Sequence, residues 1–101
     1  MNMQQMIAQA QKMQRELRKA NEELAKREFY IAKGGMVKVV MLGNRTVHSI
    51  EIDKDALDVE NLEMLQETIA LCINELLVQI REAEEDINER ITGSRSGSGV
   101  L

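Results

Sequence analysis

The sequence predicts an α+β fold: a long helix, a three-stranded antiparallel β-meander and a second long helix (α-β-β-β-α), dimeric, with the helices projecting. Three observations predict it. Residues 2–27 and 61–91 each repeat apolar side chains at helical spacing. The stretch between them changes period and is punctuated by Gly34-Gly35 and Gly43-Asn44. That middle stretch is too short to cover both helical stripes, so a partner, expected to be a second copy, completes the core.

In the first helix, Met3, Met6, Ala10, Met13, Leu17, Ala20 and Leu24 occupy a and d heptad positions, as in a coiled coil. The segment Asn2 to Arg27 has no Gly or Pro and is rich in Gln, Lys, Glu, Ala and Met, all good helix formers. Glu22 with Lys26, and Glu23 with Arg27, are i,i+4 pairs in the favourable order.

The meander begins with Phe29, Tyr30 and Ile31. After Gly34-Gly35, Met36–Leu42 is apolar apart from Lys38, a pattern expected of a strand covered on both faces. Gly43-Asn44 signals a tight turn. Alternation in Val47–Ile52 predicts His48, Ile50 and Ile52 on one face, with Val47, Ser49 and Glu51 on the other.

Asp53–Asp58 reads as a polar connector. Asp58 or Asn61 is expected to cap the second helix, with Glu60 and Glu63 at its positive end. Leu62, Leu65, Ile69, Ile73, Leu76, Ile80, Ala83 and Ile87 form its apolar stripe, and Leu71, Leu77 and Val78 widen it towards contacts on two sides. The helix is expected to run to Ile91, about 45 Å at about 1.5 Å per residue, and to stop at Thr92-Gly93. The chain thus divides into one domain, residues 1–92, and a flexible Gly/Ser tail, residues 93–101. Val37, Val39, Met41, Ile50, Ile52, Ile69, Ile73 and Leu76 are the expected core and dimer contacts.

Composition removes several function classes. Aromatic residues make up 2% of the 101 residues, which argues against an aromatic-lined pocket or a base-stacking platform. The N-terminal stretch is interrupted by Gln and lacks the continuous apolar run of a secretory signal, and no stretch approaches a membrane span. A cytoplasmic protein is therefore expected. Cys72 is the only cysteine, so no internal disulfide forms, and it reads as a buried small hydrophobe. His48 is the only histidine, which leaves no metal constellation. Gly34-Gly35 lacks the spacing and the Lys-Ser/Thr of a phosphate loop. No catalytic arrangement, cofactor or small-molecule substrate is indicated, and the chain does not read as an enzyme.

Charge is uneven. Residues 1–27 hold six basic and three acidic groups, whereas residues 54–92 hold three basic and eleven acidic groups. Within a net charge of −4 the first helix is therefore a locally basic rod. Lys12, Arg15, Arg18, Lys19 and Lys26 fall at heptad positions b, c and f, away from the a/d seam, and Arg27 continues the cluster. Cations spaced in this way neutralise phosphates without reading bases. The same pattern also suits the solvated exterior of a coiled coil.

Several stretches resemble the YbaB/EbfC family of bacterial nucleoid-associated proteins. Met3-Gln4-Gln5-Met6 and Gln9-Ala10-Gln11-Lys12-Met13-Gln14 look like that family's first helix. Gly35-Met36-Val37-Lys38-Val39 through Gly43 is similar to its G-x-V-x-V-x-x-x-G strand and turn. Val47, Ile50, Ile52 and Asp53 match its third strand. Glu63-Met64-Leu65-Gln66-Glu67 and Asn74 resemble its last helix. The chain departs from the pattern in the apolar character of Ala70–Ile80 and in its tail. The resemblance implies a homodimer built through the β-region, with helices projecting like tweezers. It also implies binding of double-stranded DNA in the nucleoid with little sequence discrimination; Lys12, Arg15, Arg18, Lys19, Lys26 and Arg27, read from their charge and spacing, are the expected contacts, and the net charge of −4 makes the binding weak. The alternative is a protein-interaction adaptor that uses the acidic second helix and apolar seams, with no DNA role.

Overall fold

The computed structural model describes residues 2–93. Helix α1 spans Met3–Lys26, strands β1, β2 and β3 span Glu28–Lys33, Val37–Leu42 and Val47–Ile52, and helix α2 spans Leu62–Thr92. The sheet order is β1-β2-β3, with both pairings antiparallel. Element order and sheet topology agree with the sequence-based expectation. The shape is elongated, 68 × 28 × 15 Å.

Helix α1 opens with a capping box. The Gln5 amide donates to Asn2 Oδ1 at 2.8 Å, and the Asn2 amide donates to Gln5 Oε1 at 3.2 Å. Two otherwise unsatisfied amides at the helix start are paired in this way. The β1–β2 turn places Gly34 at φ 60° and Gly35 at φ 65°, and the Met36 amide donates to the Lys33 carbonyl at 3.0 Å. Two consecutive positive φ angles twist the hairpin in the sense its strands require, and glycine reaches them without a Cβ penalty.

One face of the sheet packs under α2. Phe29, Val37, Val39 and Met41 meet Leu65, Cys72, Leu76 and Ile80, with Leu24 and Ala56 closing the ends. Val39, Cys72, Leu76 and Ile80 are fully buried. Removal of these side chains from water is the main stabilising term. Ile31, Ile69, Ile73, Leu77, Ala83 and Ile87 flank this cluster, half-buried.

Three local expectations are corrected. First, α2 covers strand β2 on one face only; on the other, Val40 is still buried, but Lys38 is exposed beside the Tyr30 ring, its Nζ 5.1 Å from the centroid. Second, the β2–β3 register shifts between Val40 and Met41. Ile50 and Ile52 lie opposite Val39 and Val37 as alternation requires, but Val47, not His48, lies opposite Met41. An extra residue in one strand reverses the face assignment beyond it. Third, neither Asp58 nor Asn61 caps α2. Asp58 Oδ1 accepts from the Glu60 amide at 3.0 Å within the short helical turn Val59–Asn61. Asn61 donates instead to the Ala56 carbonyl at 3.1 Å. The turn Val59–Asn61 runs directly into α2. At the other end, Gly93 closes α2 at φ 80°, its amide donating to the Glu89 carbonyl at 2.9 Å. The remainder of the expected tail lies outside the described residues.

Candidate nucleic-acid interface

The position of α1 is set by the hairpin turn between β2 and β3. The Gly43 amide donates to the Arg27 carbonyl at 2.9 Å, and the Asn44 amide donates to the Ala25 carbonyl at 3.2 Å. The turn thus supplies donors to carbonyls that the end of a helix leaves open. The approach is close enough that a Cβ on Gly43 would sit 1.8 Å from the Leu24 carbonyl oxygen. Arg45, at φ 68°, clamps α2 from the same turn. Its Nη1 donates to Glu84 Oε2 at 3.2 Å and its Nη2 to Glu84 Oε1. The hydrogen bond to Glu84 holds the Arg45 guanidinium protonated even more firmly than usual. One turn therefore ties α1, the sheet and α2 together.

From this junction α1 and α2 run side by side in opposite senses. Leu24 lies near Arg81 to Asn88, and Met13 lies near Ile91. Seam residues Met13, Leu17 and Ala20 are half-buried against α2, and Leu24 is buried.

Arg15, Arg18, Lys19 and Lys26 turn away from this seam, Lys12 lies at its edge beside Ile91, and Arg27 faces α2 near Glu82, Asp86 and Arg90. Lys12, Arg15, Arg18, Lys19, Lys26 and Arg27 are all exposed. At about 100° per residue, Lys12, Lys19 and Lys26 stack along one line at seven-residue intervals, about 10 Å apart, with Arg15 beside them. Arg18 stands to one side of that line. Arg27 follows the last helical residue and leans over the Phe29 ring, 4.5 Å from its centroid. The ion pairs Lys33–Glu75 and Arg45–Glu84 draw on none of these six groups. Helix α2 carries eight acidic and two basic side chains, five of the acids between Glu82 and Glu89.

Of the expected core and dimer contacts, Val37, Val39, Met41 and Leu76 are buried, and Ile69 and Ile73 are half-buried. Ile50 and Ile52 remain 44% and 38% exposed, because α2 lies over β1 and β2 and leaves β3 uncovered. Val47 on β3 is exposed as well, as are Leu57, Val59 and Leu62 between β3 and the start of α2. Alternation alone could not show that α2 stops short of β3. The Gly43 junction was likewise hidden, since a glycine in a turn signals φ freedom before it signals contact with a distant helix.

Among the described residues no group of His, Cys, Asp and Glu is placed to hold a metal ion. No helix among them is long and apolar enough to cross a membrane.

Residues 1–95 match the model of the YbaB/EbfC DNA-binding family. The chain is 42% identical over 101 residues to a nucleoid-associated protein of Pelotomaculum thermopropionicum, covering 99% of this chain and 96% of that one. It is 35% identical over 94 residues to a nucleoid-associated protein of Metamycoplasma arthritidis, covering 93% and 98% respectively. It is 39% identical over 85 residues to one of Enterococcus faecalis, covering 83% and 82%.

Proposed function

Because the chain belongs to the YbaB/EbfC DNA-binding family, we propose that it binds double-stranded DNA as a homodimer in the nucleoid, with little sequence discrimination. The observation that carries this reading is the exposed row Lys12, Arg15, Lys19 and Lys26 along α1, outside the Met13, Leu17, Ala20 and Leu24 seam that meets α2. Phosphate contacts by Lys and Arg release condensed counterions and carry no base information, so affinity is uniform over sequences and falls with salt. The acidic end of α2 repels phosphate, so the duplex approaches from the α1 side.

The uncovered β3 supports dimerisation. Apolar side chains that α2 does not reach need a partner surface, and a second copy supplies an equivalent one by two-fold symmetry. Two basic rods then act on one duplex.

The test is fluorescence anisotropy with a generic duplex of about 30 bp across a salt series. Expected are nonspecific binding that falls steeply with salt, and its loss when Lys12, Arg15, Lys19 and Lys26 are changed to Glu in a variant that still dimerises. Binding that ignores salt, or that survives the charge reversal, overturns this reading. It would leave a protein-binding role for the acidic α2.

A further inference from the structure

The α1 seam continues past the end of α2. Ile91 lies near Ala8, Gln9, Lys12, Met13 and Glu16, and α2 ends at Thr92. The helical residues before Ala8 therefore overhang by about 7 Å. Met3, Met6 and Ile7 on this overhang are 75%, 57% and 52% exposed.

The tip differs in chemistry from the rest of the rod. Residues 2–11 carry no charged side chain, and the first cation of α1 is Lys12. A phosphate backbone finds no cationic side chain there, and so none of the counterion release that the Lys and Arg farther along α1 offer. An interfacial membrane helix would need Lys or Arg beside its apolar residues, and this tip offers Gln4, Gln5, Gln9 and Gln11. Each Gln side chain both donates and accepts, so a ring of amides around apolar side chains complements another such ring.

We propose that the tip is a docking surface for the same tip of a second copy, packed antiparallel, so that dimers join end to end. Antiparallel two-fold packing sets Met3 of one copy beside Met6 and Ile7 of the other, with Gln amides at the rim. Tips without charged side chains meet with less repulsion than two basic rods would suffer. Two helical turns fall well short of the roughly 800 Å² per partner of a stable complex, so a single contact is weak. It becomes effective where copies are concentrated, because the second contact is then intramolecular. On the DNA-binding reading, copies lined up on a duplex are such a case, but the contact itself needs no DNA.

The experiment therefore uses the full chain without DNA. Sedimentation from about 10 µM to about 1 mM should show the basal dimer growing into larger species. The variant Met3→Gln/Met6→Gln/Ile7→Gln keeps good helix formers on an exposed face. It should retain the basal species and weaken the growth at least about tenfold. No growth in the native chain overturns the proposal, as does growth that survives the Gln substitutions. A Gln variant that becomes monomeric at low concentration also overturns it, making the tip the primary dimer contact. Growth that is lost in Val100→Ser/Leu101→Ser but kept in the Gln variant overturns it by placing the contact on the chain's own end. Loss of DNA binding with tip association intact would remove only the nucleic-acid reading.

Discussion

Single residues carry more of this architecture than their chemistry suggests. Gly43 has ordinary turn-forming character, yet its lack of a side chain is what lets the β2–β3 turn dock on α1. Gly43→Ala places a methyl group 1.8 Å from the Leu24 carbonyl oxygen and 2.7 Å from its carbon, both backbone atoms that cannot swing aside. Urea denaturation should show a loss of about 3 kcal/mol or more. A loss below about 0.5 kcal/mol would mean the turn is not docked on α1. Arg45→Ala should cost far less, about 0.2–1 kcal/mol, because both partners of its ion pair are more than a third exposed. Cys72 behaves oppositely to Arg45. It is fully buried, and burial pushes its thiol up, with nearby Lys33 opposing in part. The folded protein then holds the thiol proton more tightly than the unfolded chain does. Stability from this source is intact below the unfolded thiol value of about 8.5 and falls as pH rises past it. The native chain should lose stability across that alkaline range more steeply than Cys72→Ala, compared by urea titration at each pH. Parallel pH profiles for the two proteins would refute this.

The elements were legible in the sequence to different depths. Helix α1, the three strands and α2 could be read because each element's period follows from its own geometry, and the turn at Gly34-Gly35 from glycine's freedom at positive φ. The bulge opposite Met41, the diversion of Asn61 to Ala56 and the limited reach of α2 could not. Each depends on residues distant in sequence, and local alternation is blind to them. The cations of α1 were legible as a row because heptad position fixes their azimuth. Their relation to α2 was not, because the direction of α1 is set by the Gly43 junction. Strand β3 is where this matters most. Ile50 and Ile52 pair with buried Val39 and Val37 but remain exposed themselves. Changing both to Glu leaves the covered core alone and, in a dimer closed over β3, forces two unpaired charges per copy into the interface. Sedimentation should then show the dimer dissociation constant raised at least about a hundredfold, with helix content retained. A variant as dimeric as the native chain would put the interface elsewhere, the exposed stripe Met64, Leu71 and Val78 of α2 being the next surface to test.

At the scale of the whole molecule, charge segregation and shape together decide how DNA is held. A net charge of −4 repels a duplex at long range, so the basic rods must act locally, within a Debye length of about 10 Å at 0.1 M salt. Their number can be counted from salt dependence. Each phosphate neutralised contributes about 0.9 to the slope of log affinity against log salt. Removing one phosphate-contacting cation lowers that slope by about one. In a symmetric homodimer one substitution alters both copies. Lys19→Gln, in the middle of the row, should therefore lower the slope by about two if both rods grip the duplex, and by about one if a single rod lies along it. The two-rod value would make the gap between rods the determinant of binding, so that Gly43→Ala, by releasing α1 from its junction, should weaken binding beyond its effect on stability. The one-rod value would leave the second rod free to hold another duplex, and the protein should then bridge two DNA molecules in a sedimentation pull-down with one of them labelled. An unchanged slope for Lys19→Gln would place the phosphate contacts off this row altogether.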